Sequence, residues 1–217
     1  TGRLVDRGSE GRGCRGAGSA GACTGLTCAA ATAAAGWSWS VAIRLSGAVM
    51  AMQRERRCYL GLGANLGDPA AQVLAAIDAI AQFPESRFIQ RSPLYRSVAM
   101  GPGPQPDYCN AVCVIETTLT PEALLARTQA LELASGRVRD PRLRWQARPL
   151  DIDLLLCGDL VQDLPGLHLP HPGIAQRNFV LAPLRDVAPD LSIPGEASVS
   201  ELLARLGTSG LSLWKDQ

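Results

Sequence analysis

Apolar and polar positions fall into two periods along this chain, and together they predict an ordered series of elements after residue 56. Short apolar or alternating runs mark strands at Cys58–Leu62, Phe88–Val98, Tyr108–Thr118 and Leu150–Leu156. Between 69 and 83 the apolar residues Val73, Leu74, Ile77, Ile80 and Ala81 recur at helical spacing, with Pro69 suited to the first turn. Thr120 predicts a cap for a second helix running to Ala134, with Pro121 at its first position and Glu122 in its first turn. Two more helices are expected near Phe179–Val187 and Val199–Leu206. The Gly- and Pro-rich stretch 101–106 predicts a loop, and 137–148 an arginine-rich one. The order β-α-β-β-α-β predicts an α+β fold, the ferredoxin-like split-βαβ plait. Such a plait implies an antiparallel four-stranded sheet, helices on one face and an open face for a ligand.

Residues 1–53 break this regularity. They are rich in Gly, Ala and Ser, with five arginines and two acids before Met50 and no sustained amphipathic pattern. An organellar transit peptide has that bias. A secretory signal fits less well, because the apolar run at 28–36 is poor in Leu-type residues and far from the start. The reading favoured here is that the native protein begins at Met50 or Met52. The chain then divides into an extension at 1–53 and a single domain at 54–217.

Composition narrows the function. A net charge of +1 argues against a general nucleic-acid binder, and no long uncharged apolar run predicts a membrane span. One lysine, Lys215, accompanies twenty arginines, and no GK[ST] phosphate loop is present, so phosphate handling falls to arginine, metal or backbone amides. Seven cysteines without a CxxC pair, two of them (Cys109 and Cys113) inside an apolar strand, predict a reducing compartment and no zinc site. A cytoplasmic monomer is expected.

The predicted strand at 150–156 carries two aspartates. Residues two apart share a face, so Asp151 and Asp153 point one way while Leu150, Ile152 and Leu154 point to the core; the two aspartate Cα atoms lie roughly 6.5 Å apart. Carboxylates so placed repel unless a cation sits between them, and Mg²⁺ is the natural candidate, because it takes one or two carboxylates plus substrate phosphates. Solvated aspartates on an open sheet face are the plainer alternative. Against it stand Arg137, Arg139, Arg142, Arg144 and Arg148, within twelve residues and leading into the strand. Guanidinium forks match phosphate oxygens. Without a polyanion their mutual repulsion is expected to hold the loop open. A metal-bridged polyanion satisfies the arginines and the aspartates together.

R-W-Q-A-R-P-L-D-I-D-L-L (144–155) resembles the signature segment of the 6-hydroxymethyl-7,8-dihydropterin pyrophosphokinase family, enzymes of folate biosynthesis. Y-L-G-L-G-A-N-L-G-D, S-P-L-Y-R-S, G-P-x-x-Q-P-D-Y-x-N-A-V, T-Q-x-L-E with G-R-V-R, L-P-H-P and Q-R-N-F-V-L-x-P-L resemble its other segments, in order, from about Tyr59 to Leu191. Taken singly, G-L-G-A-N-L-G is weak and resembles a dinucleotide loop; the full set in order is highly specific. The resemblance implies transfer of a pyrophosphoryl group from ATP to the pterin's hydroxymethyl oxygen, with release of AMP. It implies two Mg²⁺ ions on Asp151 and Asp153, and Arg137 and Arg148 as phosphate-clamping catalytic arginines. Gln129, Glu132, Arg139, Trp145, Leu154, His171 and Arg177 match the nucleotide-contacting set. Tyr108 and Phe179 match the pair that stacks on the pterin, Asn110 the amide that reads its edge, and Ser97, Val98 and Met100 the loop that meets it. The sequence departs from the family at Gln146, where Gly is usual, at Pro172, where an aromatic is common, and at Gly166, where some members carry Arg. These departures bear on adenosine contacts and loop kinetics. A ferredoxin-like binding module without chemistry, and a nucleotidyl or glycosyl transferase using D-x-D, are the alternatives. The first gains nothing from the aspartates; the second does not require Tyr108, Asn110 and Phe179.

Overall fold

The structure is a computed structural model and describes residues 54–100, 103–137 and 147–215. Its elements are β1 (Arg56–Ala64), α1 (Pro69–Ile80), β2 (Ser86–Arg91), β3 (Tyr95–Ser97), β4 (Tyr108–Thr117), α2 (Pro121–Ala134), β5 (Asp151–Cys157), β6 (Gln162–Leu164), β7 (Leu167–Leu169), α3 (Asn178–Val187), α4 (Val199–Leu206) and β8 (Leu211–Leu213). The predicted extension at 1–53, together with Arg139, Arg142, Arg144, Trp145 and Gln146, lies outside the described residues.

Local chemistry sets the helix starts. The Asp68 side chain accepts from the Ala71 amide at 3.1 Å, and Thr120 from the Ala123 amide at 3.2 Å, each answering an amide left over in a first turn. Ser198 and Glu201 cap reciprocally, side chain to backbone in both directions. Helix α1 stops three residues before its predicted end. Its last turn tightens, with the Phe83 amide on the Ile80 carbonyl at 3.0 Å, and Pro84 follows.

The sheet is antiparallel in every pairing, in the order β5-β1-β4-β3-β8, with β2 also on β4. Among the described residues it has six strands, not the expected four. The single run predicted at 88–98 is two strands, because Pro93 has no amide to give the ladder. At the break, the Ser92 hydroxyl takes the place of a backbone carbonyl and accepts from the Val112 amide at 3.0 Å. Strand β8 then adds outside β3. A separate two-stranded hairpin, β6 with β7, follows β5.

Helices cover both faces of the sheet, which corrects the expectation of one. On one side Val73, Ile77 and Ile80 of α1 and Leu124 of α2 pack with Leu60, Leu62, Ile152 and Leu154. On the other, Val180, Leu181 and Leu184 of α3 and Leu202 and Leu203 of α4 pack with Val112, Val114, Leu155 and Leu156. A register shift between Tyr59 and Leu60 places one extra residue in β5 and breaks its alternation, so Leu155 and Leu156 both join the second cluster. The ligand face stays open around Gly61, Gly63, Tyr108, Asn110, Asp151 and Asp153. Cys58 and Cys157 face each other across β1 and β5, with Cα atoms 4.1 Å apart. Cys109 and Cys113 are free and buried, in the apolar role read from the sequence. Among the described residues no helix is long and apolar enough to cross a membrane.

Candidate active site

At that open end lies a cavity of about 470 Å³, with strand residues for its floor and the first turn of α3 for part of its wall. Gly61 and Gly63 form the floor. A Cβ on Gly63 would stand 3.3 Å from Asn110 Oδ1, so a side chain there would crowd the amide and fill the cavity. In the sequence, the signal for this floor is two glycines spaced i, i+2 on one strand face.

One end of the cavity is aromatic and amide-lined. Tyr108 and Asn110 reach it from β4 and Phe179 from α3. The Asn110 amide is buried and donates to Ser97 Oγ at 2.9 Å, which leaves its Oδ1 toward Gly63 and the cavity. Burial pushes the Tyr108 phenol above its ordinary pKa, so it stays neutral at physiological pH. Val98 and Met100 line the same end and are 66% exposed, a large apolar exposure beside a polar cleft.

The other end is charged. Arg137 bonds both Glu132 and Asp151, and Arg148 Nη1 meets the second oxygen of Asp151 at 2.6 Å. Two of the five arginines expected to repel one another are thus drawn together on one carboxylate. Asp153 has a different setting. Arg177 Nη1 stands 3.7 Å and His171 Nε2 3.8 Å from its Oδ2. Its side chain keeps 37% of its surface exposed and lines the cleft. Burial within the cleft, and then the neighbouring charge of Asp151, raise its pKa to about 6. Burial and the Arg177 charge push His171 down to about 4. The Gly173 amide donates to His171 Nδ1 at 3.0 Å, so the neutral ring carries its proton on Nε2, aimed at Asp153. Gly173 also lets Arg177 lie against its backbone: a Cβ there would come within 2.8 Å of the guanidinium carbon.

Ser97, Val98, Met100, Tyr108, Asn110, Arg137, Arg148, Asp151, Asp153, His171, Arg177 and Phe179 therefore share one cavity. Three residues matched to the nucleotide set do not line it. Gln129 is half-buried on α2. The Leu154 side chain is in the core on the opposite sheet face, where strand alternation puts it. Glu132 is 2% exposed, because the buried line of α2 runs through Leu124, Thr128 and Glu132 toward β5, and its Oε1 accepts from the Ile152 amide at 2.8 Å. It holds Arg137 and the strand from behind the site.

The carboxylate pair suits a hard cation. Among the described residues no group of three His, Cys, Asp or Glu forms a closed metal cage. Two oxygens-bearing side chains with the remaining positions left to water and phosphate are what Mg²⁺ ordinarily takes.

The profile of the 7,8-dihydro-6-hydroxymethylpterin-pyrophosphokinase family matches residues 59–189. The chain is 47% identical over 156 residues to 2-amino-4-hydroxy-6-hydroxymethyldihydropteridine pyrophosphokinase of Pseudomonas aeruginosa, a match covering 72% of this chain and 95% of that protein. It is 41% identical over 145 residues to the protein of the same name from Haemophilus influenzae, covering 67% of this chain and 89% of that one. Among solved structures it resembles wild-type Plasmodium falciparum HPPK-DHPS with pterin and p-hydroxybenzoate, with a TM-score of 0.56 at 13% identity over 70% of this chain. The chain spans 42% of that longer protein, and at such identity the likeness shows the fold alone.

Proposed function

The chain belongs to the 7,8-dihydro-6-hydroxymethylpterin-pyrophosphokinase family, and from that premise we propose how its own residues carry the family's reaction. It is a 2-amino-4-hydroxy-6-hydroxymethyldihydropteridine pyrophosphokinase of folate biosynthesis. ATP gives its pyrophosphoryl group to the hydroxymethyl oxygen of 6-hydroxymethyl-7,8-dihydropterin, and AMP leaves. One observation carries the assignment of residues: a single cavity joins an aromatic and amide end to an end of arginines and carboxylates.

Tyr108 and Phe179 hold the pterin ring, whose flat faces favour aromatic contact. Asn110 reads the pterin edge with Oδ1, the amide held in orientation by Ser97. Val98 and Met100 close over the ring. Arg137, Arg148 and Arg177 bind the phosphates, where charge-assisted forks are strongest. His171 donates from Nε2 as a neutral ring. Asp151 and Asp153 would hold two Mg²⁺ ions. When bound, these would neutralise phosphate charge and lower the pKa of the pterin hydroxyl. Arg137 and Arg148 turn from Asp151 to the phosphates as negative charge develops on them. By family resemblance Arg139 and Trp145 contact the nucleotide. Residues 54–217 form the catalytic domain, and 1–53 lie outside it. Incubating the protein with ATP, Mg²⁺ and the dihydropterin tests the reading: AMP is the expected nucleotide product, and ADP would overturn it.

A further inference from the structure

We propose that Asn65 is a positioning residue that holds the pterin end and the phosphate end of the site in register. It follows β1 directly and is 1% exposed. Both ends of its amide are used. Nδ2 donates to the Pro106 carbonyl at 3.2 Å, and Oδ1 accepts from the Arg148 amide at 2.8 Å. The backbone amide of Asn65 also donates to the Arg148 carbonyl, at 3.2 Å. A single side chain thus ties two segments 41 and 83 residues away from it in the chain. Pro106 stands two residues before Tyr108, and Arg148 three residues before Asp151. Asn65 itself does not line the cavity. Its action on the reaction runs through the backbone of Pro106 and Arg148.

No other residue type reproduces the set. Aspartate of the same shape keeps the acceptor for the Arg148 amide but sets a carboxylate oxygen against the Pro106 carbonyl. Alanine removes both contacts. Because a buried amide needs its partners, Asn65 also supports the fold. A test must therefore separate positioning from stability. Thr117 provides the comparison. It is equally buried and bonds Ser86, the Glu85 carbonyl and the Leu119 amide at the opposite end of β4.

The proposal rests on the reading that Arg148 serves the nucleotide and Tyr108 with Asn110 the pterin. Asn65→Ala, Asn65→Asp and Thr117→Val would be compared in thermal midpoint, in kcat at saturating substrates, and in pterin Kd beside a non-hydrolysable Mg²⁺–ATP analogue. Asn65→Ala is expected to lower kcat and raise pterin Kd by about tenfold or more each, because small displacements of reacting groups are costly. Thr117→Val is expected to lose a similar thermal margin with both values within about twofold of wild type. Asn65→Asp is expected to split them, with kcat largely recovered and pterin Kd still raised. Should Asn65→Ala fail to fold, that split decides alone. Parallel losses in the Asn65 and Thr117 variants, or an Asn65→Asp protein without the split, would overturn the proposal and leave the enzyme reading intact. A wild-type protein that forms no AMP would overturn both.

Discussion

Asp153 carries a raised pKa in the fold, and that has a sign for stability. The carboxyl titrates near 3.8 in an unfolded chain and near 6 when folded. Above pH 6 the folded protein holds a charge it disfavours, and the cost is fully present. As pH falls from 6 toward 3.8 the folded form takes up the proton first, and the cost disappears. Asp153→Asn should therefore raise the thermal midpoint at pH 7.5 and give no gain at pH 3.8; equal gains at both would contradict the assignment. The same variant, and Asp151→Ala, should lose nearly all turnover with Mg²⁺ while remaining folded. Near-normal activity in either would remove the metal-binding role. Both aspartates were legible in the sequence, since strand alternation puts i and i+2 on one face. Glu132 was not, because a glutamate on a helix ordinarily faces water. Its burial follows from Arg137 and the Ile152 amide, which only the folded chain brings to it. Asn65 was hidden similarly, its partners being distant in sequence.

Elements with a local cause were the readable ones. Thr120 caps its helix as read from the sequence, Asp68 and Ser198 cap theirs in the structure, and β4 and β5 lie within two residues of their predicted bounds. Three-residue strands such as β3, β6, β7 and β8 are too short for a period and depend on a neighbour for their pairing. The break at Ser92 was signalled by Pro93 and can be tested. Ser92→Ala leaves the buried Val112 amide without its hydroxyl acceptor, so denaturant unfolding should show a loss of about 1–3 kcal/mol. An unchanged unfolding curve would mean another acceptor replaces it. For the segment entering β5, Arg148→Ala should lower kcat about a hundredfold or more, while Mg²⁺–ATP analogue affinity falls much less, because the contact strengthens as charge develops. Arg148→Lys should recover only part, lacking the bidentate fork. Loss confined to nucleotide affinity would make Arg148 a binding residue only.

At the level of the whole molecule, the family profile matches residues 59–189. A protein beginning at Met50 should keep full activity; insolubility or inactivity would show that earlier residues belong to the domain. The expectation of helices on one face and an open face for a ligand failed because α3 and α4 pack on the second face. That covering is useful to the site, since it supplies Phe179 and walls the cleft. The charged end has a consequence for how the molecule fills. At rest, Asp151 is satisfied by Arg137 and Arg148, so the site is its own salt. A lone cation must compete with two guanidinium groups for that carboxylate, and a lone polyanion must draw those groups off it. Arriving together, each releases the partner the other needs. Cation and nucleotide are then thermodynamically linked, and linkage is reciprocal. Calorimetric titration should find Mg²⁺ binding weak to the bare protein and much tighter with the nucleotide analogue present, with the nucleotide gaining the same factor from Mg²⁺. If the titration bears this out, the ion pairs of Asp151 with Arg137 and Arg148 would turn two weak ligands into one strong pair, and the enzyme would respond to their coincidence.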